Sequence, residues 1–194
     1  MKTHTKYSKN LDDSTLWSNL KAGDKVAFSF LFKKYYEDLV RYGKSLSTFP
    51  EKVEDCVQDV FTDLWVYKNK LSDVALAKPY LLASVRKRII RTQERDSIFS
   101  KSTSLDSVSF LFECSIEDHF IAAETSDSKI LYLNKLLNEL PARQKEALYL
   151  RFNQGLTVSQ IAVLLDVNYQ SANNLLHRAL LSLRKEWNGT NTVL

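Results

Sequence analysis

The stretch that decides the fold of the C-terminal part of this chain is Thr157-Val-Ser-Gln-Ile-Ala-Val-Leu-Leu-Asp-Val-Asn-Tyr-Gln-Ser-Ala-Asn-Asn-Leu-Leu-His-Arg178. It opens on an S/T-x-x-Q capping box, Thr157 to Gln160, which starts a short helix. A turn follows at Asp166, where glycine is commonest, although Asp tolerates the left-handed conformation better than most residues. Asn168 then caps a second helix. Helix, tight turn and helix is the arrangement that places the second helix in a DNA major groove, so the stretch predicts a helix-turn-helix.

The second helix has an apolar side and a polar side. Gln and Asn make paired hydrogen bonds to adenine in the major groove, and cationic side chains bind phosphates. The residues predicted to face inward are Ala172, Leu175, Leu176, Ala179, Leu180 and Leu183. The candidates for DNA contact are Thr157, Tyr169, Gln170, Ser171, Asn173, Asn174, His177 and Arg178, with Arg184 and Lys185 as further phosphate ligands.

The region before this motif divides into a helix and an acidic connector. Pro141 suits the first position of a helix that ends at Gly155, so we predict a C-terminal domain over residues 129–187. Residues 96–128 hold seven acidic residues, one basic residue and nine serines, a composition typical of a linker. The flanking blocks are both basic, which predicts two helical domains joined by a flexible acidic tether.

The N-terminal domain is predicted over residues 11–95. Ser14 and Asp24 are placed to cap its first two helices. After Pro50, a further helix carries Val53, Val57 and other apolar residues on one side. Its opposite side is polar and reads as a solvated face or a partner-binding face. This polar side consists of Glu54, Asp55, Gln58, Asp59 and Thr62.

A basic helix follows Pro79. Five cations and no carboxylate lie between Lys78 and Gln93, more than helix solubility requires. Tyr67 and Tyr80 lie close enough in sequence to offer stacking surface. The pattern is typical of phosphate binding with base stacking, and a basic solvated face is the alternative.

Composition excludes several classes of protein. The 194 residues are 44% hydrophobic and 26% charged, with 4 Gly and 3 Pro, which favours an all-α protein because positive-φ turns depend on glycine. The two cysteines form no CxxC pair, and no apolar run reaches the length of a membrane span or a signal peptide. We therefore expect a cytoplasmic protein without a metal, a cofactor or membrane insertion.

Four segments in order resemble the bacterial RNA polymerase sigma factors of the small, two-domain extracytoplasmic-function group. The first two are Asp24-Lys-Val-Ala-Phe-Ser-Phe-Leu-Phe-Lys-Lys-Tyr-Tyr36 and Val53-Glu-Asp-Cys-Val-Gln-Asp-Val-Phe-Thr-Asp-Leu-Trp65. The others run from Tyr80 to Arg91 and from Leu140 to Arg184. The resemblance covers nearly the whole chain, and it implies a protein that binds core RNA polymerase, recognises and melts promoter DNA and directs transcription initiation.

The resemblance also implies roles for particular residues. The polymerase's largest-subunit clamp helices would bind a face consisting of Asp55, Gln58, Asp59, Thr62 and Asp63. The minus-ten element would be melted, and an extruded base held, by Lys68, Asn69, Lys70, Lys78, Tyr80, Ser84, Lys87, Arg88 and Arg91. The C-terminal domain would read the minus-thirty-five element. The polymerase flap is a further contact that the resemblance implies for the protein. The acidic linker would thread the RNA exit path, where its charge resembles that of a transcript.

The chain departs from the family pattern at three positions. Lys87 replaces a usual Asn, so we expect it to contact a phosphate instead of a base. Asn173 and Leu175 replace Lys or Arg, which predicts weaker backbone anchoring or a different promoter sequence. Only residues 185–194 follow Arg184, so regulation by an appended domain is not expected, and the resemblance implies a separate anti-sigma protein.

Two other classes of protein are the alternatives. A free-standing helix-turn-helix regulator would bind operator DNA without polymerase and would use its N-terminal domain as a sensor or a dimerisation domain. An enzyme is disfavoured because His4, His119 and His177 lie far apart and no glycine-rich loop exists. Adjacent acidic pairs such as Glu54-Asp55 cannot face each other across a cleft.

Overall fold

The computed structural model describes residues 12–73, 76–98, 110–111 and 125–190. Every regular element in these ranges is a helix, so the all-α prediction is confirmed. The chain divides into two compact units, Met1–Ser102 and Thr103–Leu194. Most of the predicted acidic connector, residues 99–109 and 112–124, lies outside the described residues.

The first unit contains four α-helices and two short 3₁₀ turns. The helices are α1 (Asp13–Lys21), α2 (Lys25–Leu46), α3 (Val53–Val66) and α4 (Ala77–Ile98), and the turns are Pro50–Lys52 and Lys68–Lys70. Asp24 caps α2 as predicted, because its Oδ1 accepts from the amides of Val26 at 2.7 Å and Ala27 at 3.3 Å. The prediction for Ser14 is wrong. Helix α1 begins at Asp13, so Ser14 lies within the helix, and its hydroxyl donates to the side chain of Asp12.

The core of the first unit lies where α2, α3 and α4 converge. Leu31, Phe61 and Leu81, one from each helix, are fully buried there. Gly43 marks a close approach, since a Cβ at that position would lie 2.5 Å from Cγ1 of Val53 and 3.0 Å from Cδ1 of Ile89. Only a glycine lets the three helices meet at this distance.

A buried carboxylate joins α1 to α2 and α4. Asp13 accepts hydrogen bonds from Nζ of Lys34 at 2.6 Å, from the Tyr35 hydroxyl and from the amide of Ala77 at 3.3 Å. Burial alone would raise the pKa of Asp13, but the Lys34 and Tyr35 hydrogen bonds and the Lys34 charge outweigh it and lower that pKa below its usual value. The pKa of Tyr35 is raised by its burial and by its contact with Asp13.

The second unit contains the predicted helix-turn-helix. Its helices are α5 (Thr125–Glu139), α6 (Ala142–Phe152), α7 (Val158–Leu165) and α8 (Tyr169–Thr190). Pro141 precedes α6 by one position, and Gly155 follows it with φ at 70°. Buried Leu150, Ile161 and Ala172 join α6, α7 and α8 in one small core.

Phe110 belongs to the segment that composition assigns to the connector, yet it is 1% exposed. Its ring centroid lies 5.5 Å from that of Tyr149 on α6, in an edge-to-face contact. The acidic stretch is therefore fixed to the second unit at this residue.

Candidate nucleic-acid interface

The polar side of α3 is exposed. Its apolar side buries Val53, Val57 and Val60, so the 3.6-residue period turns the intervening polar residues outward. Thr62 donates its hydroxyl to the backbone carbonyl of Gln58 at 2.9 Å, which ties the Thr62 side chain to the helix itself. All five residues of the predicted acidic face are exposed, namely Asp55, Gln58, Asp59, Thr62 and Asp63.

Arg88 on α4 reaches the acidic face of α3. Its Nη1 lies 2.9 Å from Oδ2 of Asp59, and its Nη2 contacts Oδ2 of Asp63. The structure thus brings a cation predicted to bind minus-ten DNA into contact with two carboxylates predicted to bind polymerase.

An open cavity of about 340 Å³ lies between α3, the 3₁₀ turn after it and α4. This volume falls within the ~300–1,000 Å³ of small-ligand pockets. Its lining includes five of the residues predicted for minus-ten DNA, namely Tyr80, Ser84, Lys87, Arg88 and Arg91. The basic helix therefore presents an aromatic ring, a hydroxyl and three cations to one space.

Five further residues that line the cavity were missed as site residues. Val60, Leu64, Leu71 and Thr92 carry no sequence signal for a nucleic-acid site, whereas Arg95 follows Arg91 by one helical turn and could have been found from that spacing. Tyr67 also lines the cavity, as expected of a stacking residue.

The predicted loop cations do not line this cavity. Nζ of Lys68 lies 4.5 Å above the ring of Trp65 and donates to the Trp65 carbonyl at 3.2 Å, and Nζ of Lys70 lies 5.8 Å from the ring of Tyr67. Lys78 instead pairs with Asp38 of α2 at 3.1 Å. Lys70 and Asn69 are exposed.

Local hydrogen bonds build the helix-turn-helix as predicted. The Gln160 amide donates to Oγ1 of Thr157 at 3.3 Å, and the Thr157 amide donates to Oε1 of Gln160 at 2.8 Å, which completes the capping box. Asp166 adopts φ 55° and ψ 51° in the turn. The Ser171 amide donates to Oδ1 of Asn168 at 2.7 Å and so caps α8.

The predicted DNA-facing residues of the second unit are exposed, with one exception. Gln170 donates from Nε2 to Oδ1 of Asn174 at 3.2 Å, which holds two amide side chains side by side. Ser171 is half-buried, and the exposed members are Thr157, Tyr169, Gln170, Asn173, Asn174, His177 and Arg178.

The apolar side of α8 extends beyond the core. Leu180, predicted to face inward, is 47% exposed, and Leu181 is 50% exposed, so the prediction for Leu180 is wrong. Together with Leu133 of α5 and Trp187, they line an open groove of about 520 Å³. Helix α8 extends beyond the small core that it forms with α6 and α7. Leu180 and Leu181 are therefore not covered by the other described residues.

The described residues contain neither a metal-binding cluster nor a membrane-spanning helix. No group of three or more His, Cys, Asp and Glu side chains in these ranges is arranged to hold a metal ion. Likewise, none of the described helices is both long enough and apolar enough to cross a membrane.

Residues 130–183 match the family model of sigma-70, region 4. No curated protein matches the chain. The solved structure of CnrH in complex with the cytosolic domain of CnrY is 15% identical, with a TM-score of 0.59, and the match covers 91% of this chain and 97% of that one. The sigma factor RpoE from Bartonella quintana, solved with the anti-sigma factor NepR, is 22% identical, with a TM-score of 0.57 and coverage of 81% and 94%. These two structures share the fold of this chain.

Proposed function

We propose that the chain is a sigma factor of the extracytoplasmic-function group, because residues 130–183 match sigma-70 region 4 and the chain shares the fold of the sigma factor RpoE. It binds core RNA polymerase, melts the minus-ten element and reads the minus-thirty-five element. The observation that carries this proposal is the helix-turn-helix of α7 and α8, built by its capping box and matched by the region 4 family. As a sigma factor it catalyses no reaction itself, and it works in the cytoplasm beside the polymerase.

The N-terminal domain, residues 11–95, is proposed to bind the clamp helices of the polymerase's largest subunit. Exposed carboxylates and amides on one helix face suit a polar, cationic partner surface, because charge complementarity steers association and fixes register. Asp55 and Gln58 lie at the start of this face, and Asp59, Thr62 and Asp63 continue it.

The cavity between α3 and α4 is proposed to hold a base extruded from the minus-ten element. Extrusion costs a few kcal/mol, and aromatic stacking returns about 1–3 kcal/mol per base. Tyr67 and Tyr80 supply stacking surfaces, while Lys87 and Arg91 stand where backbone phosphates would pass. Lys68, Asn69, Lys70 and Lys78 do not line this cavity, and they are proposed to act on the strand outside it.

The C-terminal domain, residues 129–187, is proposed to read the minus-thirty-five element with α8. Gln170, Asn173 and Asn174 carry the amide groups that pair with adenine edges. Thr157 and Ser171 lie at the N-termini of α7 and α8, where hydroxyls and backbone amides bind phosphate. Arg178 and His177 extend the phosphate contacts along the helix.

The groove between α5 and α8 is proposed to bind the polymerase flap. Leu133, Leu180 and Leu181 present an exposed apolar surface, and exposed apolar surfaces are typical of protein–protein contacts. A flap element with apolar side chains would bury it. The connector, residues 96–128, is proposed to follow the RNA exit path, as its negative charge suggests.

A separate anti-sigma protein is proposed as a regulatory partner. The RpoE structure contains the anti-sigma factor NepR, which supports a partner of this class for the present chain. An anti-sigma protein that covers either domain would withhold the sigma factor from polymerase.

The test is a pull-down and transcription assay with purified bacterial core RNA polymerase. We expect stoichiometric association and promoter-specific transcripts, both weakened in Asp55→Ala/Gln58→Ala. The matched control is Glu37→Ala/Glu51→Ala, which removes two exposed carboxylates of the same unit outside α3. A chain that ignores core polymerase but shifts duplex DNA alone would instead be the free-standing regulator.

A further inference from the structure

Helix α1 contacts the segment that leads from Ser72 to the basic helix α4, which begins at Ala77. The indole N–H of Trp17 donates to the backbone carbonyl of Ser72 at 3.0 Å. Lys21 forms an ion pair with Asp73, and the carboxylate of Asp13 accepts from the first amide of α4, that of Ala77. Three side chains of α1, each one turn from the next, thus contact both ends of this segment.

Trp17 connects this segment to the wall of the cavity. Its ring is 1% exposed, and its centroid lies 5.0 Å from that of Tyr80, with the planes at 70° in an edge-to-face contact. Tyr80 lines the cavity on the α4 side, and Leu71, next to Ser72, lines it on the loop side. Trp17 therefore contacts the residues behind both walls without lining the cavity itself.

We propose that Trp17 is a positioning residue for the extruded minus-ten base, an inference that rests on the proposed function of the cavity. Its N–H fixes the backbone beside Leu71, and its ring edge fixes the plane of Tyr80. The distance between the two walls then does not adjust to whichever base enters. A preorganised cavity favours the base that fits it, because the free energy of binding then does not include the cost of ordering the cavity walls.

The physical argument predicts an effect on discrimination more than on folding. Without the indole N–H, the Ser72 carbonyl loses its partner inside the protein and turns toward water, which loosens the loop wall alone. Loops that recognise ligands depend on a rigid element behind them, and α1 is that element here. The acidic face of α3 and the whole second unit lie outside these contacts.

The experiment measures base preference with core RNA polymerase and a DNA library randomised upstream of a transcribed barcode. Two variants remove the donor: Trp17→Phe, and replacement of Trp17 by β-(3-benzothienyl)alanine, which keeps the shape of the indole without its N–H. The control is Leu20→Met, a volume-conserving change at another buried position of α1. Thermal midpoint and core polymerase affinity are recorded for each protein.

We expect both donor-free variants to lose about two- to tenfold of their base discrimination at the minus-ten element, the equivalent of one net hydrogen bond. Preference at the minus-thirty-five element and affinity for core polymerase stay unchanged. Wild-type discrimination in the benzothienyl variant would overturn the inference even if Trp17→Phe fails to fold, and so would an equal loss in Leu20→Met. A wild-type chain without polymerase-dependent transcripts would overturn the proposed function itself, and this inference with it.

Discussion

Nη1 of Arg88 lies 2.9 Å from Oδ2 of Asp59, so a cation proposed to serve DNA is paired with a carboxylate proposed to serve the polymerase. Asp63, one turn further along α3, contacts the same guanidinium group. Exposed pairs of this kind contribute only about 0.2–1 kcal/mol each, which is weak enough for a partner to exchange them. The proposed polymerase-binding and DNA-binding surfaces therefore share these three side chains.

The first prediction concerns this network. In Asp59→Asn/Asp63→Asn, affinity for core polymerase should fall about tenfold, since two charges of the acidic face are lost. Binding of the free chain to a single-stranded oligonucleotide should rise about two- to fivefold, because Arg88 is released. Fluorescence anisotropy at one fixed salt concentration measures both affinities.

The control for this prediction is Asp55→Asn/Glu51→Gln, which changes the net charge equally without touching the Arg88 pairs. Its binding to single-stranded DNA should rise less than that of Asp59→Asn/Asp63→Asn. An equal rise in the two double variants would mean that net charge alone, and not the release of Arg88, governs DNA binding.

The second prediction concerns the close approach at Gly43. Gly43→Ala should destabilise the first unit, because the new methyl group would meet Val53 at 2.5 Å and Ile89 at 3.0 Å. Overpacking of this kind costs about 1–3 kcal/mol, which outweighs the ~1 kcal/mol that alanine gains over glycine within a helix. Urea unfolding followed by circular dichroism measures the change. Adding Val53→Ala should recover part of the loss, and strictly additive effects of the two substitutions would count against this contact.

Local signals carried much of the fold. The capping box at Thr157, the Asn168 cap and the left-handed Asp166 each involve residues within a few positions of one another, so the sequence displays them directly. The helices follow from apolar periodicity in the same way. The same reasoning places Tyr80, Ser84 and their neighbours on one helix, and five of the residues predicted for minus-ten DNA line the cavity.

Contacts between residues far apart in the sequence could not be predicted from local patterns. Arg88 pairs with residues 25 and 29 positions earlier, and a solvated cation and a paired one have the same sequence signature. Periodicity assigns Leu180 to the apolar side of α8 but cannot tell where the core beneath it ends. Burial of Phe110 depends on a site on α6 that the composition of the connector does not reveal.

The third prediction is a pH dependence that originates at Asp13. Its pKa is lowered in the folded state, so its contribution to stability is complete above the unfolded pKa, near 3.8, and is lost as the pH falls through the folded value. Asp13→Asn should therefore lower the free energy of unfolding most at neutral pH. The difference in the free energy of unfolding between the wild type and Asp13→Asn should decrease below pH 3.8. Urea unfolding across this range measures it, with the exposed neighbour Asp12→Asn as control; a gap that is constant with pH would argue against the carboxylate as its source.

The fourth prediction tests the groove between α5 and α8. Leu181→Glu should leave the second unit folded, since Leu181 is half exposed, but should lower binding to an isolated flap fragment of the polymerase about tenfold or more by burying a charge in the interface. Val163→Glu is the control, because Val163 is an apolar residue of the same unit with 81% exposure. Isothermal titration measures both affinities. Equal losses in the two variants would place the flap contact elsewhere.

The fifth prediction separates base reading from phosphate binding on α8. Asn173→Ala should reduce transcription from the preferred minus-thirty-five element about tenfold and relax the base preference at one position, because a paired amide contact is worth about 1–3 kcal/mol. Arg178→Met should weaken all minus-thirty-five sequences alike and reduce the slope of affinity against salt by about one. Both side chains are exposed, so neither substitution disturbs the core. Transcription from the randomised library, repeated over a series of salt concentrations, distinguishes the two behaviours. If Asn173→Ala weakened every sequence equally, its amide would serve the phosphate backbone, and Gln170 and Asn174, already held side by side at 3.2 Å, would remain as the readers of the bases.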